Sequence, residues 1–265
     1  MWWSGWLGGC GCWSAPSVCR GTDGCTAPPL NFLAEISGAP CVVRKALMVT
    51  VEVDSERVES RLAGGEVSCP SCPDGVLVRW GFARARRVVG VVELVRPRRS
   101  RCRGCAVTHV LLPVTLLLRR GYAAELIWAA VVAKAVGVGH RVIAARLRIP
   151  ASTVRGWLRV ITGRAQVVRH WFISVAVAAG VDVSIPKATG SGCGDVLAAV
   201  GVAREAIATR FGEGSVIGAV TPARVAVGCS GGRLLAPGWP MQWGYGRPTP
   251  TDPDINDADG SSSRG

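Results

Sequence analysis

Four cysteines constrain this chain more than any other feature. They come as two C-x2-C pairs, Cys69-Pro-Ser-Cys72 and Cys102-Arg-Gly-Cys105, with twenty-nine residues between the pairs. Two residues between cysteines let one tight turn aim both sulfurs at a single ion, so two such knuckles complete a tetrahedral shell. Pro70 and Gly104 suit those turns. Four thiolates leave no open position for water or substrate, which points to one structural zinc ion and away from metal catalysis. Between the knuckles, residues 76–82 and 88–95 are β-branched runs on either side of a basic turn. They predict a two-stranded ribbon held together by the ion, since two strands with so small a core are marginal alone. The competing readings are two unrelated cysteine pairs, or redox-active C-x2-C motifs, which need a strand-helix-strand context that is not seen here. His109 is expected as a partly buried histidine rather than a replacement ligand, and Cys193 and Cys229 as buried thiols.

Ahead of the first knuckle, Val49 to Val53 alternate as a short strand, and a short helix follows over residues 54–62, capped by Asp54 or Ser55. After Pro113 the apolar period becomes helical, over residues 123–136, 140–147, 152–161 and 165–179, with two further helices over 195–211 and 216–227. Residues 140–159, HRVIAARLRIPASTVRGWLR, fit the twenty-residue helix-turn-helix template. Ile143, Leu147, Ile149, Val154 and Trp157 fall on the positions where two crossed helices touch, and Ala144 is the small residue that lets them approach. The second helix starts at Ala151 or Ser152, with the Ser152 hydroxyl available as a cap. One position departs from the template: the turn prefers glycine for its left-handed backbone, and Arg148 stands there, at a cost on the order of 1 kcal/mol.

The charge around this motif has one sign. Residues 79–164 hold 17 Arg and Lys134 against Glu93 and Glu125, within a chain whose net charge is +13. Of its 31 basic residues 28 are arginine, which suits bidentate phosphate and guanine contacts although a GC-rich genome yields the same bias. Self-repulsion on such a surface is relieved by a polyanion. Double-stranded DNA is therefore the expected partner. Ser152, Thr153, Arg155 and Arg159, with Arg141 on the first helix, are the candidate base and groove contacts; Arg98, Arg99 and Arg101 on the ribbon are candidate phosphate contacts.

In this order, CPSC, RWGFARARR, RPRRSRCRGCAVTHVLLP and IAARLRIPASTVRGWLR resemble an uncharacterised family of high-GC bacterial zinc-ribbon/helix-turn-helix proteins. They are also similar to the amino-terminal DNA-binding part of insertion-sequence transposases. The likeness covers residues 48–164, and GGRLLAPGWP near Gly231 extends the first of these matches. It implies site-directed binding to duplex DNA, Cys69, Cys72, Cys102 and Cys105 as zinc ligands, and the helix from Ser152 as reader. No reaction comes with it.

The expected fold is α+β and mainly α: an unstructured leader over 1–47, with Met48 as a candidate working start; a zinc ribbon over 48–118; a helix-turn-helix bundle over 119–165; a helical segment over 166–245; and a solvated tail over 246–265. The apolar stretch 122–139 contains Glu125 and Lys134 and reads as a packed helix rather than a bilayer span. The first residues lack a positive n-region, so no export is expected and the cytoplasm, at the nucleoid, is the default. No catalysis is expected either. After Arg164 the acids Asp182, Asp195, Glu205 and Glu213 stand in too short a stretch for the carboxylate triad of a transposase, and the tail acids lie in a segment too polar to fold. Thr189-Gly-Ser-Gly-Cys-Gly194 lacks the ending of a phosphate loop and reads as an interhelical loop. Trp128, Trp157 and Trp171 are expected to pack; Trp80, beside Arg79 and Arg84 on a ribbon strand, is the one aromatic that could touch nucleic acid, and a packing role is favoured for it too. Alternatives to a regulator are an accessory or remnant protein that binds transposon ends for a separate transposase, and a protein-interaction adaptor; a homodimer is expected by analogy with other helix-turn-helix proteins.

Overall fold

The computed structural model describes residues 48–72, 74–179, 182–212 and 219–239. The leader and tail expected at the two ends lie outside these residues. Four strands, β1 (Met48–Val51), β2 (Leu77–Phe82), β3 (Arg98–Cys102) and β4 (Thr108–Pro113), form one sheet in the order β1-β4-β3-β2. β1 runs parallel to β4, and the other two pairings are antiparallel. Helix α1 (Ser55–Gly64) begins at Asp54, whose carboxylate accepts from the N–H groups of Glu56 (2.9 Å) and Arg57 (3.3 Å), and it ends at Gly65 in the left-handed region. Its buried Val58 and Leu62 join Val51, Leu77, Cys102 and Leu111 in a small core on one face of the sheet.

The sheet departs from the two-stranded ribbon that the sequence suggests. The strand that pairs with β2 is Arg98–Cys102, with Leu77 opposite Cys102, and not residues 88–95. In β3 alternate residues do different jobs: Ser100 and Cys102 are buried, whereas Arg99 is exposed. An arginine-rich run does not look like a strand, yet only its inward positions have to be compact. The 88–95 run makes isolated bridges, Arg86 with Val95 and Val89 with Tyr122, and sends Val88 onto Leu112 and Leu116 on the other face of the sheet. Its Val92 is 98% exposed.

Six helices follow: α2 (Ala124–Ala135), α3 (His140–Leu147), α4 (Ala151–Thr162), α5 (Ala165–Ala178), α6 (Gly192–Phe211) and α7 (Pro222–Cys229). They share one core, which runs from Val114 to Trp239 and joins the helices of residues 119–165 to those beyond. At its centre α6 touches α2, α4, α5 and α7, and its Ala199, Ala203 and Ala206 are buried. Small side chains there let neighbouring helices come close. The expected loop over 189–194 is in fact the entrance to this helix. Ser191 caps it through the Gly194 N–H (3.4 Å), and buried Asp195 accepts from the Thr189 N–H (2.7 Å) and hydroxyl (2.9 Å). Those two bonds hold the Asp195 carboxyl below the usual range. The helix expected over 216–227 is α7, which starts at Pro222 behind the Thr221 cap.

Arginines staple the end of the described chain. Arg120 donates to the Leu235 carbonyl (2.9 Å), and Arg164 to those of Ala236 (2.7 Å) and Trp239 (2.9 Å). Burial pushes the Cys229 thiol up to about 12 and raises Cys193 as well, so both stay protonated at neutral pH. Among the described residues no helix is long and apolar enough to cross a membrane.

Candidate metal centre and its basic surroundings

The sulfurs of Cys69, Cys72, Cys102 and Cys105 all lie within 4.8 Å of one another, so the four cysteines can hold one metal ion. Cys69 Sγ is 3.7 Å from Cys105 Sγ, and Cys72 Sγ is 3.5 Å from Cys102 Sγ. A tetrahedral shell with metal–sulfur bonds of about 2.3 Å has edges of about 3.8 Å. Backbone donors face the sulfurs: the Ser71 N–H approaches Cys69 Sγ (3.3 Å) and the Cys105 N–H approaches Cys102 Sγ (3.4 Å). Strand pairing brings the knuckles together, since Cys102 ends β3 opposite Leu77 and the Cys69 N–H donates to the Gly75 carbonyl (2.6 Å).

Gly75 is the residue that sequence reasoning passed over. A Cβ there would collide with the sulfurs of Cys72 and Cys102 and lie 2.9 Å from Cys69 Cβ. Only glycine leaves that space open. His109 is fully buried, with Nε2 3.4 Å from Cys69 Sγ. It stands behind one cysteine instead of replacing one, and with the proton on Nε2 its ring donates to that sulfur.

Without an ion the thiols are unequal. Burial raises Cys69. The hydrogen bond to Cys102, with burial, pushes Cys72 up to about 12. Burial also acts to raise Cys102, but the Cys105 N–H and the neighbouring thiols outweigh it and lower this thiol to about 7. Cys102 is therefore the first thiolate, and a cation takes the place of protons held by its neighbours.

In the helical body, α3 ends at Arg148, which adopts φ 55° and ψ 43° in the left-handed region, and α4 begins behind Pro150. Ser152 does not cap α4. The Pro150 carbonyl already accepts from the Thr153 (3.0 Å) and Val154 (3.2 Å) N–H groups, which leaves Ser152 as an exposed residue of the first turn. Ile143, Ala144, Ile149, Val154 and Trp157 are buried and Leu147 partly so, with Tyr122 edge-on to Trp157 at 5.0 Å. On the outside, Ser152, Arg155 and Arg159 are exposed at the spacing of one helical face; Thr153 is half-buried, and Arg141 is exposed on α3.

The three β3 arginines divide. Arg98 donates through Nη2 to Glu59 (3.3 Å) and lies over the Phe82 ring, so its charge is already engaged. Arg99 is exposed, and Arg101 stacks on Trp80 at 4.7 Å. Trp80 itself is 54% exposed, which corrects the packing role expected for it, whereas Trp128 and Trp157 are core residues and Trp171 donates to the Cys229 carbonyl (3.1 Å). Of the acids beyond Arg164, Asp182 and Glu205 are exposed, Asp195 is bonded to Thr189, and Glu213 lies outside the described residues. Compared with protein-family models, curated proteins and solved structures, the chain matches none.

Proposed function

We propose that this chain binds double-stranded DNA, with α3 and α4 as a helix-turn-helix and the sheet as a ribbon that zinc holds together. One observation carries the reading. Ser152, Arg155 and Arg159 stand on one exposed face of α4 whose opposite flank is buried, and no carboxylate occurs between Glu125 and Arg164 to neutralise them. A helix of this kind fits the major groove, where a well-placed arginine reads guanine through two acceptors. Arg141, exposed on α3, is a further candidate contact. Of the sheet residues, Arg99 is the free phosphate contact, because Glu59 engages Arg98. Zinc matches a closed four-thiolate shell, and metal analysis of freshly purified protein checks it.

Selection of bound duplexes from a random pool followed by gel shifts tests the reading. Arg155→Ala or Arg159→Ala is expected to reduce discrimination between selected and random duplexes by about 1–3 kcal/mol. Arg99→Ala is expected to weaken both alike and to flatten the salt dependence. Equal behaviour of all three variants overturns the division of labour. The selected sequence separates the two settings: a palindrome implies a regulator acting as two copies, and a transposon end implies an accessory of a separate transposase.

A further inference from the structure

The sheet has a second face that neither α1 nor the metal centre uses. Val78 pairs with Arg101, Arg101 with Thr108, and Arg99 with Val110, so these residues share the face opposite the buried Ser100, Cys102, His109 and Leu111. Val88 and Val95 cover it only at its Met48–Leu112 end. Elsewhere it is open, and Trp80 stands on it. The register shifts between Arg79 and Gly81, which makes Trp80 the extra residue of a bulge. Gly81, at φ 143°, supplies a backbone that other residues rarely adopt. The Arg101 guanidinium covers one side of the ring and is held by the Ala106 carbonyl (3.2 Å), while Arg99 is exposed beside it. Among the described residues no carboxylate pairs with Arg99 or Arg101.

We propose that this face binds single-stranded DNA, with an unpaired base stacked on Trp80 and the flanking phosphates held by Arg99 and Arg101. The exposed Trp80 ring offers a surface on which a π-face can stack, and bases inside a duplex have none to offer because their neighbours cover them. The arginines supply charge complementarity for the backbone, and the pre-formed stack with Arg101 fixes the ring before binding. The choice of DNA over RNA rests on the duplex reading above; the stacking does not.

Fluorescence anisotropy of the full-length, metal-loaded protein with a dye-labelled oligothymidylate of about a dozen nucleotides tests this. Trp80→Ala is expected to weaken binding by on the order of tenfold, and Trp80→Phe to restore most of it. Arg99→Ala and Arg101→Ala should also weaken it, while Arg155→Ala, on another surface, should leave it unchanged. Trp80→Ala that retains its metal and circular dichroism yet binds like the parent overturns the proposal. So does an equal loss on blunt duplex, since the ring would then not be reading an unpaired base. Tighter, Trp80-dependent binding of oligouridylate overturns the assignment to DNA. Trp80-dependent binding of oligothymidylate by a protein that ignores every duplex supports the proposal and refutes the duplex reading.

Discussion

A methyl group at residue 75 would fill the space in which two sulfurs and an ion have to meet, because the backbone of Gly75 passes directly against Cys72 and Cys102. Gly75→Ala is expected to lose the metal outright while all four cysteines remain. Cobalt substitution followed by thiolate-to-metal absorption measures this, and an unchanged spectrum would show that the backbone can move aside. This glycine could not be read from the sequence, where it is an ordinary turn residue three positions after Cys72. The cysteines were legible because a pair of sulfurs two residues apart has few other uses. Trp80 was misjudged for a related reason: strand period gives a side, but a bulge resets it, and a one-residue shift in register leaves no mark in composition.

At the level of elements, the joint between α3 and α4 holds the one violation that the sequence made visible. Arg148 takes the left-handed backbone that glycine adopts without strain. Arg148→Gly is expected to raise stability by about 0.5–1 kcal/mol, with Arg148→Ala near neutral since alanine carries the same Cβ. Thermal melts of the three proteins decide it, and a destabilised glycine variant would mean that the arginine side chain contributes more than its backbone costs. Helices α3 and α4 were legible because burial imposes a spacing on Ile143, Ile149, Val154 and Trp157 that few other arrangements satisfy. β3 was not, since arginines at its outward positions hide the alternation. The entrance of α6 was hidden too, because a glycine-rich string gives no hint that Asp195 will turn back to bind Thr189.

Over the whole molecule the interior is divided. One small core lies between α1 and the sheet and includes Cys69 and Cys102, whereas the helices enclose a larger one of their own. Removal of the metal by a chelator is therefore expected to raise amide hydrogen exchange across β2 and β3 while α5 and α6 stay protected. Acid acts in the same direction, because protons compete with the ion for all four thiolates. Exchange that rises uniformly through both halves would show that the two cores unfold together.

The arginine staples bear on how the bihelical unit can be handled. Arg164, two residues beyond α4, reaches the Ala236 and Trp239 carbonyls, and α6 backs both α2 and α4. Grafted alone into another scaffold, residues 119–165 would arrive with the sides of α2 and α4 that α6 covers laid open. A transplant has to carry α6 along or rebuild an equivalent surface in its new host.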